Sequence, residues 1–278
     1  MSIAQTRSGF APSGNAQLYY ETAGAGQPLL MIHAGVADSR QWNDAFTYFA
    51  QRMQVVRYDL RGYGKSVPVD GEWSHIGDLI AVLAHLELSQ PLVIMGCSMG
   101  GGLAMDFALA HPARVQALIM VGSGPSGLEL DIERPAKFDE IDQAYKAGDL
   151  DRAAELETQF WFDGTDRTPG QVNQAMRALA YAMNRNAIAL DAQGLGTQLT
   201  DTQPPAAQRL SELDLPVLVI VGAQDTPYIL AASDHMVEHI RSARKVIIED
   251  AAHLPNMDHP EQFNRIVADF LDDLASLR

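Results

Sequence analysis

Six short apolar runs set the limits on how this chain folds. They are Pro28-Leu29-Leu30-Met31-Ile32, Val55-Val56-Arg57-Tyr58, Leu92-Val93-Ile94-Met95, Ala117-Leu118-Ile119-Met120-Val121, Val217-Leu218-Val219-Ile220-Val221 and Val246-Ile247-Ile248, and Pro, Gly or Asp bounds them. They are near-continuous rather than alternating, the pattern of strands buried on both faces in a parallel sheet covered by helices. Upstream, Gln17 to Thr22 has strand composition and follows the turn-like Pro12-Ser13-Gly14-Asn15, which reads as an antiparallel hairpin. The rhythm breaks between Gly122 and about Leu210, where helical patterns such as Ala153 to Phe160 dominate. The expectation is an α/β protein with helices on both faces of a mostly parallel sheet. Residues 1–122 and 211–278 form its core, and 123–210 form an inserted helical cap. An amphipathic helix from Glu261 to Leu277 closes the chain.

With 278 residues, 47% hydrophobic and 20% charged, the chain is long and apolar enough for one core with an insertion. Its net charge of −15 repels phosphate backbones and anionic lipid surfaces, so neither nucleic acid nor a membrane is an expected partner. Cys97 is the only cysteine, which excludes an intrachain disulfide. Met1 to Gly26 holds no continuous apolar segment, and no stretch approaches the roughly 18 apolar residues of a membrane span. A cytoplasmic protein is expected; the sequence does not reveal its oligomeric state.

The chemistry concentrates at Gly96-Cys97-Ser98-Met99-Gly100, directly after the run ending at Met95 and before a helical stretch that Pro112 stops. This is the strand, turn and helix context of a nucleophile elbow, in which a strained turn lifts the serine hydroxyl clear of the backbone. The same pattern also arises as a Gly-rich turn whose serine caps a helix. What separates the two readings is the chain order serine, acid, histidine. Asp225 follows the run at Val217 and His253 follows the run at Val246, both at carboxyl ends of strands, where ligand crevices form.

At this point the chain resembles the α/β-hydrolase family over nearly its whole length. Four features carry the resemblance: His33-Ala34-Gly35-Val36, Asp59-Leu60-Arg61-Gly62-Tyr63-Gly64-Lys65-Ser66, the elbow at Ser98, and the Asp225 and His253 segments. The nearest look is to the serine-nucleophile branch of esterases, enol-lactonases and perhydrolases. The resemblance implies an eight-stranded sheet, Ser98 as nucleophile, His253 as base and Asp225 as the acid orienting it. It implies an oxyanion hole from the N–H groups of Gly35 and Met99. Ala34 stands where the family usually has glycine, which leaves Val36 as the alternative donor or as a substrate contact. His33 is expected to brace this loop and the Asp59 to Ser66 segment to be a structural turn. No cofactor or metal is needed.

Other signals fit less well. Gly64-Lys65-Ser66 lacks the glycine that a phosphate-binding loop needs five residues earlier, where Asp59 stands. His235-Met236-Val237-Glu238-His239 matches a zinc pattern, but its apolar stripe serves core packing. Cys97 is expected to face the core. Phe160-Trp161-Phe162 suits either packing of the cap on the core or a pocket roof, with Trp161 the residue to test. The reaction expected is hydrolysis of a small carboxylic ester or lactone through an acyl-enzyme. A carbon–carbon bond hydrolase or perhydrolase on the same residues is the alternative, and a non-catalytic ligand receptor on the same fold is a third reading.

Overall fold

Pleating decides which side chains meet, because successive residues of a strand point to opposite faces of a sheet. In the computed structural model, which describes residues 5–200 and 202–276, ten strands form: β1 (Arg7–Ser13), β2 (Ala16–Ala23), β3 (Pro28–Ile32), β4 (Gln54–Tyr58), β5 (Glu72–Trp73), β6 (Leu92–Cys97), β7 (Val115–Val121), β8 (Thr197–Gln198), β9 (Val217–Gly222) and β10 (Ala243–Ile248). Eight make one sheet in the order β1-β2-β4-β3-β6-β7-β9-β10. β1 pairs antiparallel with β2 and β2 with β4, and every other pairing is parallel. The sheet is therefore the mostly parallel, eight-stranded one expected.

Among the described residues nine helices accompany the strands: α1 (Asn43–Phe49), α2 (His75–His85), α3 (Met99–Ala110), α4 (Lys137–Lys146), α5 (Leu150–Thr158), α6 (Gln174–Asp191), α7 (Pro227–His239), α8 (Pro255–Asp258) and α9 (Pro260–Ser276). Leu29 and Met31 of β3 bury against Phe46 and Phe49 of α1 and Phe263 and Val267 of α9. Their neighbours Leu30 and Ile32 bury on the other face with Leu79 and Val82 of α2, Phe107 of α3 and Met236 of α7. Helices on both faces account for the unbroken apolar runs. The closing helix starts at Pro260, one residue before the expected Glu261, and Leu277 lies outside the described residues.

Register brings the carboxyl ends of the central strands together. Ile32 pairs with Gly96, Cys97 with Val121, Val121 with Ile220, and Ile248 with Gly222. After β7 come α4, α5 and α6, which share a small apolar cluster of Ile141, Ala144, Ala153, Ala154, Leu156 and Ile188. α5 runs on into one π-helical turn, Gln159–Asp163. The segment also contains β8, which pairs parallel with β5 in a ribbon two residues long. No strand was expected there, because two residues carry no periodicity. No helix among the described residues is long and apolar enough to cross a membrane.

Candidate active site

β6 runs into α3 through Ser98, whose backbone is held at φ +50° and ψ −117°. A left-handed conformation in a residue other than glycine is strained and persists only where its surroundings enforce it. Here the Ser98 N–H donates to the Val121 carbonyl at 2.8 Å, and its own carbonyl accepts from Gly101 and Gly102 at 2.9 and 3.0 Å. The flanking glycines are required by close approach. A Cβ on Gly96 would lie 2.2 Å from the Gly100 oxygen, and one on Gly100 would lie 2.5 Å from the carbonyl oxygens of Ile32 and His33. The half-buried Ser98 thus stands at the rim where β3, β6 and β7 end.

Asp225 and His253, both buried, leave the neighbouring strands β9 and β10. Asp225 Oδ2 lies 2.8 Å from His253 Nδ1, and Oδ1 accepts from the Thr226 N–H at 2.7 Å. Facing a carboxylate, Nδ1 is the nitrogen placed to carry the ring proton, which would leave Nε2 unprotonated. Gly122, at φ +50°, lets these loops close: a Cβ there would sit 2.8 Å from the His253 carbonyl and 3.3 Å from Asp225 Oδ2. No hydrogen bond among the described residues joins Ser98 Oγ to the histidine ring. Cys97 is buried with its Sγ directed at the His253 carbonyl, and burial pushes its thiol up to about 12, so it stays protonated.

The third wall is the loop after β3. His33 is buried, accepts the Leu60 N–H at Nε2 (2.9 Å) and donates from Nδ1 to the Ala34 carbonyl (2.8 Å). Burial pulls its pKa below the usual value despite the nearby Asp59, and with both nitrogens engaged it serves as a brace. The turn from Asp59 to Ser66 is likewise structural: the Asp59 carboxylate accepts from the Ser39 and Lys65 N–H groups at 2.9 and 2.7 Å. Sequence reasoning missed Gln41 and Asn256. The Ala34 N–H donates to Gln41 Oε1 at 2.9 Å, Gln41 Nε2 donates to Asn256 Oδ1 at 3.1 Å, and Asn256 Nδ2 returns a bond to the Gln41 carbonyl at 2.8 Å. This exchange ties the loop of Gly35 to the loop of His253.

Gly35, Val36 and Met99 line one side of a cavity of about 470 Å³ whose other side includes Tyr145, Glu157 and Asn184. Trp161 is not among its lining residues. Its ring lies 4.4 Å from the His253 ring between centroids, and its carbonyl accepts the His253 N–H at 3.2 Å. Arg167, also missed, holds this π turn to the base loop. It donates to the carbonyls of Phe162, Asp163 and Asp250 at 2.9, 2.8 and 2.6 Å, and pairs with Asp258 at 2.6 Å. Far from the site, the rings of His235 and His239 stack at 4.0 Å.

Comparison with known proteins agrees with this fold. A family model described as alpha/beta hydrolase fold matches residues 27–260. The chain is 29% identical over 254 residues to a pimeloyl-[acyl-carrier protein] methyl ester esterase of Aeromonas hydrophila, covering 90% of this chain and 98% of that one. It is also 29% identical over 269 residues to a 2-hydroxy-6-oxononadienedioate/2-hydroxy-6-oxononatrienedioate hydrolase of Paraburkholderia xenovorans, covering 93% and 91%. Among solved structures it superposes on the enol-lactonase from Burkholderia xenovorans LB400 with a TM-score of 0.77 at 20% identity, over 95% of this chain and 100% of that one. The chain belongs to the alpha/beta hydrolase fold family and is an enzyme of that hydrolase type.

Proposed function

We propose that this protein hydrolyses small carboxylic esters or lactones through a serine acyl-enzyme. The observation that carries the proposal is the buried Asp225–His253 pair, 2.8 Å apart, on strand ends beside the strained elbow of Ser98. In this reading Ser98 Oγ attacks the carbonyl carbon while His253 Nε2 takes its proton, and Asp225 holds the tautomer that leaves Nε2 free. The N–H groups of Gly35 and Met99 receive the charge on the tetrahedral oxygen; Met99 opens α3, whose first N–H groups have no partner within the helix. His253 then passes the proton to the leaving alcohol, and an attacking water, deprotonated by His253, releases the acid and regenerates Ser98. The helical segment 123–210 acts as a cap over the site. The relative named a methyl ester esterase supports this reading. The equal identity to the nonadienedioate hydrolase supports a second one, carbon–carbon bond hydrolysis on the same residues.

The test is covalent labelling by a fluorophosphonate combined with turnover of a panel of esters, lactones and vinylogous diketones. Labelling should map to Ser98, and Ser98→Ala should lose both labelling and turnover, the latter by about four orders of magnitude or more. Labelling elsewhere with full activity in the variant would overturn the mechanism. Preference within the panel separates the two reactions.

A further inference from the structure

The cavity holds an acid that acyl transfer does not use. Glu157 on α5 accepts from the Tyr145 hydroxyl of α4 at 3.0 Å and from Asn184 Nδ2 of α6 at 2.8 Å, both neutral donors. Two residues earlier, Glu155 is matched by Arg177 at 2.6 Å, and Asp163 by the same arginine at 2.9 Å. Among the described residues Glu157 has no such cation. Burial pushes its carboxyl up, and the bonds from Asn184 and Tyr145 offset this only in part, whereas Arg177 holds Glu155 below the usual carboxylate range. An ionised group partly withdrawn from water without a counter-charge carries a cost. The open side of this one is the cavity.

The surroundings are aromatic and acidic. The rings of Tyr63, Trp73 and Tyr145 line the same space, with the Arg61 guanidinium already 5.2 Å over the Trp73 ring, and Asp191 adds a second carboxylate. Ring faces attract ammonium groups, most strongly where water is excluded. The one arginine on the wall is Arg61, and its charge is matched by Asp78, to which it donates from Nε at 2.9 Å and Nη2 at 2.6 Å. Among the described residues no lysine lines the cavity, and His75 is the one histidine that does. Tyr63 reaches from the cavity wall to the elbow. Its hydroxyl lies 3.8 Å from Met99 Sδ, and burial together with the charges of Asp191 and Glu157 pushes it up to about 12.

We propose that the cavity takes the protonated amine of an amine-bearing ester or lactone, with Glu157 as its counter-ion and the rings of Tyr63, Trp73 and Tyr145 around it. The assignment rests on the ester-hydrolase reading of Ser98 for the rest of the substrate. It also excludes a class: a substrate carrying a second carboxylate would meet Glu157 and Asp191 with no unmatched cation to receive it.

Two measurements test it. The first compares kcat/KM of the wild-type protein for ethyl ω-aminohexanoate, ethyl heptanoate and monoethyl pimelate, which differ only in a terminal ammonium, methyl or carboxylate group. The ammonium ester should exceed the methyl ester by about tenfold or more, the size of one charge-assisted hydrogen bond, and the carboxylate ester should be the poorest. The second measures binding of ω-aminohexanol and heptanol by calorimetry, with the same preference expected. Glu157→Gln should cut the preference to about threefold or less, and Asp191→Asn should lower it in part. Equal treatment of ammonium and methyl compounds, or a preference for carboxylate, overturns the assignment in the wild-type protein alone, whether or not Glu157→Gln folds. An ammonium preference in binding without hydrolysis of any ester supports the cation site and instead removes the ester-hydrolase reading. Hydrolysis without an ammonium preference does the reverse.

Discussion

The sheet and the helical segment above it are held by different forces. β3, β6 and β9 are buried from end to end and β7 at every position but Gln116, and two large apolar clusters flank them. The helices of 123–210 share six buried apolar residues of their own, join the sheet-side core through Ala180 and Met183 of α6, and add ion pairs: Arg177 with Glu155 and Asp163, Arg185 with Asp151, and Arg134 with Asp139 and Asp142. Burial is non-directional and scales with area, so a sheet packed this way fixes loop ends firmly. Ion pairs near the surface contribute little each and are screened by salt. The contrast suits a division in which the sheet places the reacting groups and the helices shape what reaches them. The π turn at Gln159–Asp163 crosses that division, because it rests on His253.

The sharpest break of this comparison is on the sheet side. Asp225→Asn should lower kcat by about three to four orders of magnitude, since an amide no longer fixes the imidazole tautomer, while the melting temperature stays close to wild type. A nearly active variant would move the orienting acid elsewhere.

Trp161→Ala comes next. Because the ring backs His253 instead of lining the cavity, kcat/KM for a short and a bulky ester should fall together, by about tenfold. A changed ratio between the two would return Trp161 to the pocket roof.

Within the helical segment, Arg167→Ala and Arg134→Ala should differ. The first removes bonds to three carbonyls and a largely buried partner, Asp258, so about 2–3 kcal/mol of stability and part of kcat should go. The second removes exposed pairs and should stay within about 0.5 kcal/mol. Urea melts of both variants would measure this, and similar losses would erase the distinction between the inner and outer parts of the segment.

The smallest effect is in pH, and the two regions carry opposite signs. His33 has a folded pKa below its unfolded value near 6.5, so the unfolded state binds more protons and its contribution is lost as pH falls below about 6.5. Glu157 has a folded pKa above its unfolded value near 4.5, so its contribution is present in acid and lost as pH rises through that window. Between pH 7 and 5, His33→Gln should flatten the acid loss of melting temperature. Glu157→Gln should raise the melting temperature at pH 7 relative to pH 4. A common slope in both variants would contradict the assignment of these charges.

What was legible in the sequence follows the same divide. Strands buried on both faces announce themselves as apolar runs, and each run named from sequence lies within an observed strand. β10 was only half seen, because its first half is Ala243-Arg244-Lys245 on the sheet edge, where charge guards against further pairing. Asp225 and His253 could be named from their places after strands, and the fold sets them in hydrogen-bond contact. Gln41, Asn256 and Arg167 gave no signal. They are ordinary polar residues whose partners lie as far as 215 and 83 positions away, and only the folded chain shows the bond. Glu157 was equally silent, since what marks it is a missing cation rather than a motif.

The bond from the His253 N–H to the Trp161 carbonyl also governs how such enzymes could exchange parts. A chimera that replaced all of 123–210 with a relative's segment would strip the base loop of one of its supports, together with the grip of Arg167 on Asp250 and Asp258. Breakpoints placed after Thr158 and before Gln174 would retain the native stretch between them. The transferable modules are then two pieces, one carrying α4 and α5 and one starting with α6, with an untouched hinge between them. Shuffled libraries built on those seams should yield active clones far more often than libraries built on the outer boundaries.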